Sequence, residues 1–129
     1  MVYLDTSVAL AQLLAEDRSP PDDLWRKTLV TSRLFLYETW VRIHGRKLAG
    51  SHGELVNDLM GRVSFLELEA RILKRALEPF PVPVRTLDAI HLASIEYLRA
   101  LGQQVELATY DQRQLEAARR LRIPICAGF

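Results

Sequence analysis

Brief apolar runs alternate along the chain with longer segments of helical periodicity, and this alternation restricts the fold more than any other feature. Val2-Tyr3-Leu4 reads as a buried strand, ended by Asp5-Thr6-Ser7, which can cap a helix running to about Glu16. Pro20-Pro21-Asp22-Asp23 opens a short helix, Leu29-Val30-Thr31 is a second strand, and Ser32 caps a longer helix to about Ala49. A short helix around Glu54 to Met60 leads to a strand at Val63 to Leu66 and a helix from about Glu69 to Leu77. Thr86 is expected to cap a helix ending near Leu101, where Gly102 is a natural terminator. Val105 to Thr109 is the fourth strand, Gln112 to Arg120 a helix and Ile123 to Cys126 a short last strand. Strands separated by helices imply parallel β-α-β units, hence an α/β fold: a three-layer α/β/α sandwich around a central, mostly parallel sheet of four to five strands.

The 129 residues are expected to form one domain spanning 1–129, and the composition, 49% apolar and 26% charged, is that of a folded chain rather than a disordered one. The lone Cys126 cannot make an internal disulfide, and no Cys/His cluster has zinc-site spacing. No basic start followed by an apolar leader is present, and no apolar stretch approaches the roughly 20 residues of a membrane span. A cytoplasmic protein with no membrane association is the expectation. A net charge of +1 argues against a protein that coats DNA. The cations are unevenly spread, however. Arg26, Lys27, Arg33, Arg42, Arg46 and Lys47 fall between Leu24 and Gly53 with Glu38 as the sole acid, a stretch able to hold phosphates or to form an ordinary solvated helix face.

Four acids stand out by position. In a parallel α/β sheet, ligands bind outside the carboxyl ends of the strands. Asp5 directly follows the first strand and Asp111 follows the fourth. Glu38 lies among Leu34, Phe35, Leu36, Trp40 and Val41 on a helix, where a carboxylate is costly without a partner; Arg42, at i+4, is its plain structural partner. Asp88 sits in the first turn of the Thr86 helix, a position the helix dipole favours without any function. His91, three residues on, shares that face and is placed to bond Asp88 or a phosphate, or to be a satisfied core histidine. Singly, each acid has such a reading, since Asp5 and Asp111 can both be helix caps. Together they crowd one edge. Two carboxylates about 5 Å apart repel by roughly 3 kcal/mol at an effective dielectric near 20, and several such pairs rival the ~5–15 kcal/mol that holds a domain together. Some must protonate or be neutralised by a cation, and all-oxygen donors point to Mg²⁺ or Mn²⁺ and to hydrolysis of a phosphodiester by activated water.

These segments resemble the PIN-domain family, and more closely the VapC-type toxins of bacterial and archaeal toxin–antitoxin pairs. The resemblance spans nearly the whole chain and is carried by Tyr3-Leu-Asp5-Thr6-Ser7, Glu38, Arg85-Thr-Leu-Asp88-Ala-Ile-His91-Leu-Ala93 and Thr109-Tyr-Asp111-Gln-Arg113. It implies an endoribonuclease that cleaves single-stranded RNA, with Asp5, Glu38, Asp88 and Asp111 as the metal-binding, catalytic set and Thr6 a hydroxyl near the metal. It also implies a homodimer, a cognate VapB-like antitoxin, and contact with DNA only through that antitoxin. Tyr37 departs from the pattern, standing where smaller residues are common. Around the acids, Arg46, Lys47, Arg85, His91, Thr109 and Arg113 are expected to hold phosphates or to support the site.

Other strand-Asp-turn families fit poorly. A phosphatase of the haloacid dehalogenase type requires a second acid where this chain has Ser7, and a response-regulator receiver requires a late Lys, whereas none follows Lys74. Two readings remain beside the toxin: a PIN-like nuclease of RNA processing, and a PIN-like module that binds RNA or protein without cutting.

Overall fold

A computed structural model covers residues 1–129 and contains four strands and six helices. In chain order they are β1 (Val2–Leu4), α1 (Thr6–Leu13), a 3₁₀ turn (Asp22–Arg26), β2 (Leu29–Ser32), α2 (Arg33–Gly45), α3 (Ala49–Met60), β3 (Ser64–Leu66), α4 (Ala70–Ala76), α5 (Thr86–Ala100), β4 (Glu106–Ala108) and α6 (Gln112–Arg120). The strands form one parallel sheet in the order β3-β2-β1-β4. The chain thus starts in the middle, builds outward through β2 and β3, and returns to lay β4 on the other side of β1. That reversal opens a crevice at the carboxyl ends of β1 and β4, where sheets of this kind take their ligands.

Alternation along β1 divides the interior in two. Val2 and Leu4 face a core built with Val8, Leu13, Phe35, Ile43, Val56 and Leu59, from α1, α2 and α3. Tyr3 faces the opposite core, with Leu92, Ile95, Leu98, Leu107, Ala117 and Ala118, from α5, β4 and α6. Every residue of β1 is therefore buried, as expected for a central parallel strand covered on both faces. The three-layer α/β/α expectation holds. No helix is long and apolar enough to cross a membrane.

The structure departs from the sequence reading at several boundaries. Helix α1 ends at Leu13, and Ala15 follows in a left-handed conformation (φ 47°), so it does not reach Glu16. The break expected at Gly50 to Gly53 lies earlier. Lys47 takes φ 56° and the Leu48 amide donates to the Ile43 carbonyl, closing α2, after which α3 starts at Ala49 and runs through both glycines. Thr86 is the first residue of α5 rather than its cap; Arg85 holds the cap position without a side-chain cap bond, since a guanidinium has no acceptor to offer the helix amides. The fifth strand is reduced to one parallel bridge, Leu107 to Ile125. Pro124 lacks an N–H, so this segment extends no regular ladder.

Leu107 is fully buried between the sheet and α5/α6, whereas Leu101 is 57% exposed. Leu107→Ala is expected to lower the unfolding free energy in a urea titration by about 2–5 kcal/mol, and Leu101→Ala to change it by less than about 0.5 kcal/mol. Equal losses would contradict the placement of the second core.

Candidate active site

Four separate segments bring their acids to one cleft. Asp5, Glu38, Asp88 and Asp111 all line an open cavity of about 1260 Å³ at the carboxyl edge of the sheet, together with Thr6, Ser7, Arg85 and Tyr110. Asp5 ends β1 and caps α1, its Oδ2 accepting from the Ser7 amide at 3.0 Å. The same oxygen accepts from the Thr109 hydroxyl at 3.0 Å. Thr109, at the end of β4, in turn accepts from the Asp111 amide at 3.1 Å, while Asp111 caps α6 through Oδ1. One buried hydroxyl thereby sets the spacing of two acids that are far apart in sequence. Ser7 completes this junction, with its Oγ 3.3 Å from the Thr109 hydroxyl and accepting from the Tyr110 amide at 3.0 Å.

Glu38 arrives from α2 on the other side of β1. Its Oε1 accepts from Thr6 at 3.1 Å and from His91 Nε2 at 2.6 Å, and its side chain is 19% exposed. The plain reading of a Glu38–Arg42 pair is not what forms. His91, from α5, bonds neither Asp88 nor the open cleft: it is fully buried, and its Nδ1 lies 2.7 Å from the Tyr3 hydroxyl. Burial opposes a charged ring, but the Tyr3 oxygen, the Glu38 hydrogen bond and the charges of Asp5 and Glu38 outweigh it, raising His91 well above the ordinary histidine range.

Asp88 is the least well served. Burial, then the charges of Asp5 and Asp111, push its carboxyl up to about 6 against the opposing pull of Arg85 and His91. Arg85 spans the gap, its Nη2 2.5 Å from Asp111 Oδ2 and its Nε 3.4 Å from Asp88 Oδ2. This guanidinium, 65% exposed, lies across two of the acids rather than standing free for a phosphate. No three acidic, histidine or cysteine side chains stand close enough together, as placed, to hold a metal ion. The donor chemistry nevertheless suits a hard divalent cation: the side chains able to ligate one offer carboxylate and hydroxyl oxygens, and burial together with the charges of Asp5 and Asp111 has already raised Asp88.

Among the cations, Arg46 lines the cleft and Lys47 and Arg113 do not. Arg42, expected as the partner of Glu38, lines it as well, and so does Arg18, which the sequence did not single out. The basic stretch of residues 24–53 is divided by the fold, since Arg33 pairs with Glu67 and Lys27 donates to the Cys126 sulfur. The mouth also exposes Tyr37 (69%), Val41 and Leu87.

Comparison with known proteins gives the family. The PIN domain family model matches residues 2–120. The chain belongs to the PIN-domain family. Ribonuclease VapC46 of Mycobacterium tuberculosis is 31% identical, with 98% of this chain and 96% of that protein covered. Ribonuclease VapC35 of the same organism is 29% identical over the same shares of both chains. This PIN domain is thus of the VapC ribonuclease type. The crystal structure of Mycobacterium tuberculosis VapC20, a sarcin-ricin loop cleaving toxin, superposes with a TM-score of 0.64 at 21% identity, covering 91% of this chain and 95% of that one, a likeness of fold. PIN-domain ribonucleases are in general dependent on divalent metals.

The raised Asp88 has a consequence for stability. An acid whose folded-state value, about 6 here, exceeds its unfolded value near 4 destabilises the fold as pH rises through that window, fully so above it. Asp88→Asn is therefore expected to raise the melting temperature in metal-free buffer at pH 7.5, with the gain shrinking toward pH 4. A gain independent of pH, or a loss at pH 7.5, would contradict the crowding of these acids.

Proposed function

We propose that this chain is an endoribonuclease dependent on Mg²⁺ or Mn²⁺, the toxin of a VapBC-type toxin–antitoxin pair, hydrolysing single-stranded or loop RNA. The observation that carries this reading is the gathering of Asp5, Glu38, Asp88 and Asp111 from four segments onto one cleft. In it these four acids would hold the cation, and a cation there would supply charge withdrawal from the scissile phosphodiester and a more acidic attacking water. Thr109 and Ser7 keep Asp5 and Asp111 in register, and Thr6 and His91 hold Glu38. Water attacks phosphorus in line with the leaving oxygen and gives up a proton to solvent, the P–O bond breaks, and the departing oxygen takes a proton from solvent, so that one RNA end keeps the phosphate and the other becomes a hydroxyl.

Arg18, Arg42 and Arg46 supply positive potential along the cleft for the flanking phosphates, and the exposed Tyr37 ring gives a face on which a base can stack. Residues 1–129 act as a single PIN domain in the cytoplasm, as a homodimer silenced by a VapB-like antitoxin through which alone it contacts DNA. The VapC-named relatives support this reading. One observation favours a non-cleaving module instead: Arg85 already neutralises part of the acid cluster. Chelator-sensitive cleavage separates the two.

Purified protein is expected to cut single-stranded RNA with Mg²⁺ or Mn²⁺ and to stop with EDTA. Asp5→Asn should lower the rate by more than about a hundredfold, since the outer partners of metal ligands alone are worth ~10–100-fold. Undiminished cutting by Asp5→Asn and Asp88→Asn, both folded, would refute the assignment. Arg46→Gln is expected to weaken RNA binding and reduce the salt slope by about 0.7, as for one lost phosphate contact on a single strand. An unchanged slope would remove Arg46 from the RNA path.

A further inference from the structure

Glu38 makes all its hydrogen bonds through one oxygen. Oε1 accepts from Thr6 and from His91, and Oε2, which has no protein partner, is not among the buried unpaired polar atoms and so remains open to the cleft. Behind Oε1 the support continues inward. His91 is bonded at both ring nitrogens, with Tyr3 on Nδ1 and Glu38 on Nε2, and the rings of Tyr3 and His91 meet edge to face with centroids 5.7 Å apart. Both residues are fully buried, and Tyr3 belongs to the central strand. A carboxylate accepts only, so the Nε2 proton is donated to Glu38. A ring gripped at both ends cannot rotate without breaking two hydrogen bonds, one buried and one partly buried.

We propose that Tyr3 and His91 are positioning residues that lock the rotamer of Glu38 from behind, keeping Oε2 presented to the cleft as its donor atom. Tyr3 ties that rotamer to the buried centre of the sheet, so an acid carried on α2 is held to the same frame as Asp5 on β1. A ligand held in place beforehand loses less freedom when the cation binds. Neither residue touches RNA or metal, since neither reaches the surface.

This proposal rests on the reading of the acids as a metal site, and the test separates the two. Mn²⁺ is titrated calorimetrically into the wild-type protein and into Tyr3→Phe, His91→Gln and His91→Leu, each first checked for folding by near-ultraviolet circular dichroism. RNA affinity in EDTA is measured alongside. Gln can still offer an N–H near the Nε2 position, and Leu cannot. The expected result is that His91→Leu weakens Mn²⁺ binding by about 10–100-fold, that His91→Gln recovers part of the loss, that Tyr3→Phe weakens it to a lesser degree, and that metal-free RNA affinity stays within about twofold throughout. If His91→Leu does not fold, the Tyr3→Phe and His91→Gln results decide. Wild-type Mn²⁺ affinity in the folded variants, or RNA affinity falling in parallel with metal affinity, would overturn the positioning role while leaving the metal site standing. Absence of Mn²⁺ binding in the wild type would overturn the metal site itself, and the positioning role with it.

Discussion

Carboxylates crowded at one edge of a parallel sheet are the constraint around which the rest of the molecule is arranged. A carboxylate removed from water must find donors, and like charges brought together must be offset. The four gathered acids are supplied unequally. Asp5 takes an amide and a hydroxyl, Glu38 a hydroxyl and an imidazole, and Asp111 two amides and a guanidinium. Asp88 has only the more distant nitrogen of Arg85, and burial with the charges of Asp5 and Asp111 pushes its carboxyl up to about 6. Among the four, Asp88 is the one whose negative charge has the fewest protein partners and to which a cation has most to offer.

The fold makes this crowding possible by putting β1 in the middle. Buried on both faces, β1 is flanked by β2 and β4, so that residues following each strand meet at one edge. Asp5 then faces Thr109 and Asp111 across the β1–β4 junction, while α2, entering directly from β2, delivers Glu38 from the other side. Helix α5 packs on the opposite face of β1 and contributes Asp88 and His91 three residues apart, one to the cleft and one to the interior. The two cores therefore act on the site by fixing the spacing of elements that carry its acids.

Much of this was legible in the sequence, for identifiable reasons. Strand-helix alternation and the apolar run of β1 marked the α/β class, and the acids were visible because Asp5 and Asp111 follow strands while Glu38 interrupts an apolar helix. Boundaries set by single backbone conformations were not legible: nothing local announces that Lys47 rather than Gly50 turns left-handed, or that Pro124 curtails the last strand. The partners of His91 were equally hidden, because Tyr3 lies 88 residues away and Glu38 lies 53 away, so their meeting depends on how α2 and α5 straddle β1. Ser7 was seen as part of a capping turn, and its bond to a residue after β4 follows only from the strand order. Arg85 was read as a phosphate ligand from its charge, whereas its reach across Asp88 and Asp111 depends on the loop that precedes α5.

Titration of the Asp88 carboxyl carbon by ¹³C NMR, with and without saturating Mg²⁺, tests most directly whether electrostatic crowding governs this edge. A midpoint near 6 in metal-free protein, moving down by at least about one unit when Mg²⁺ is added, is the predicted behaviour. A midpoint close to the ordinary value of about 3.9 in both conditions would mean that Asp88 is neither buried among nor crowded by the other acids, and shares no cation with them.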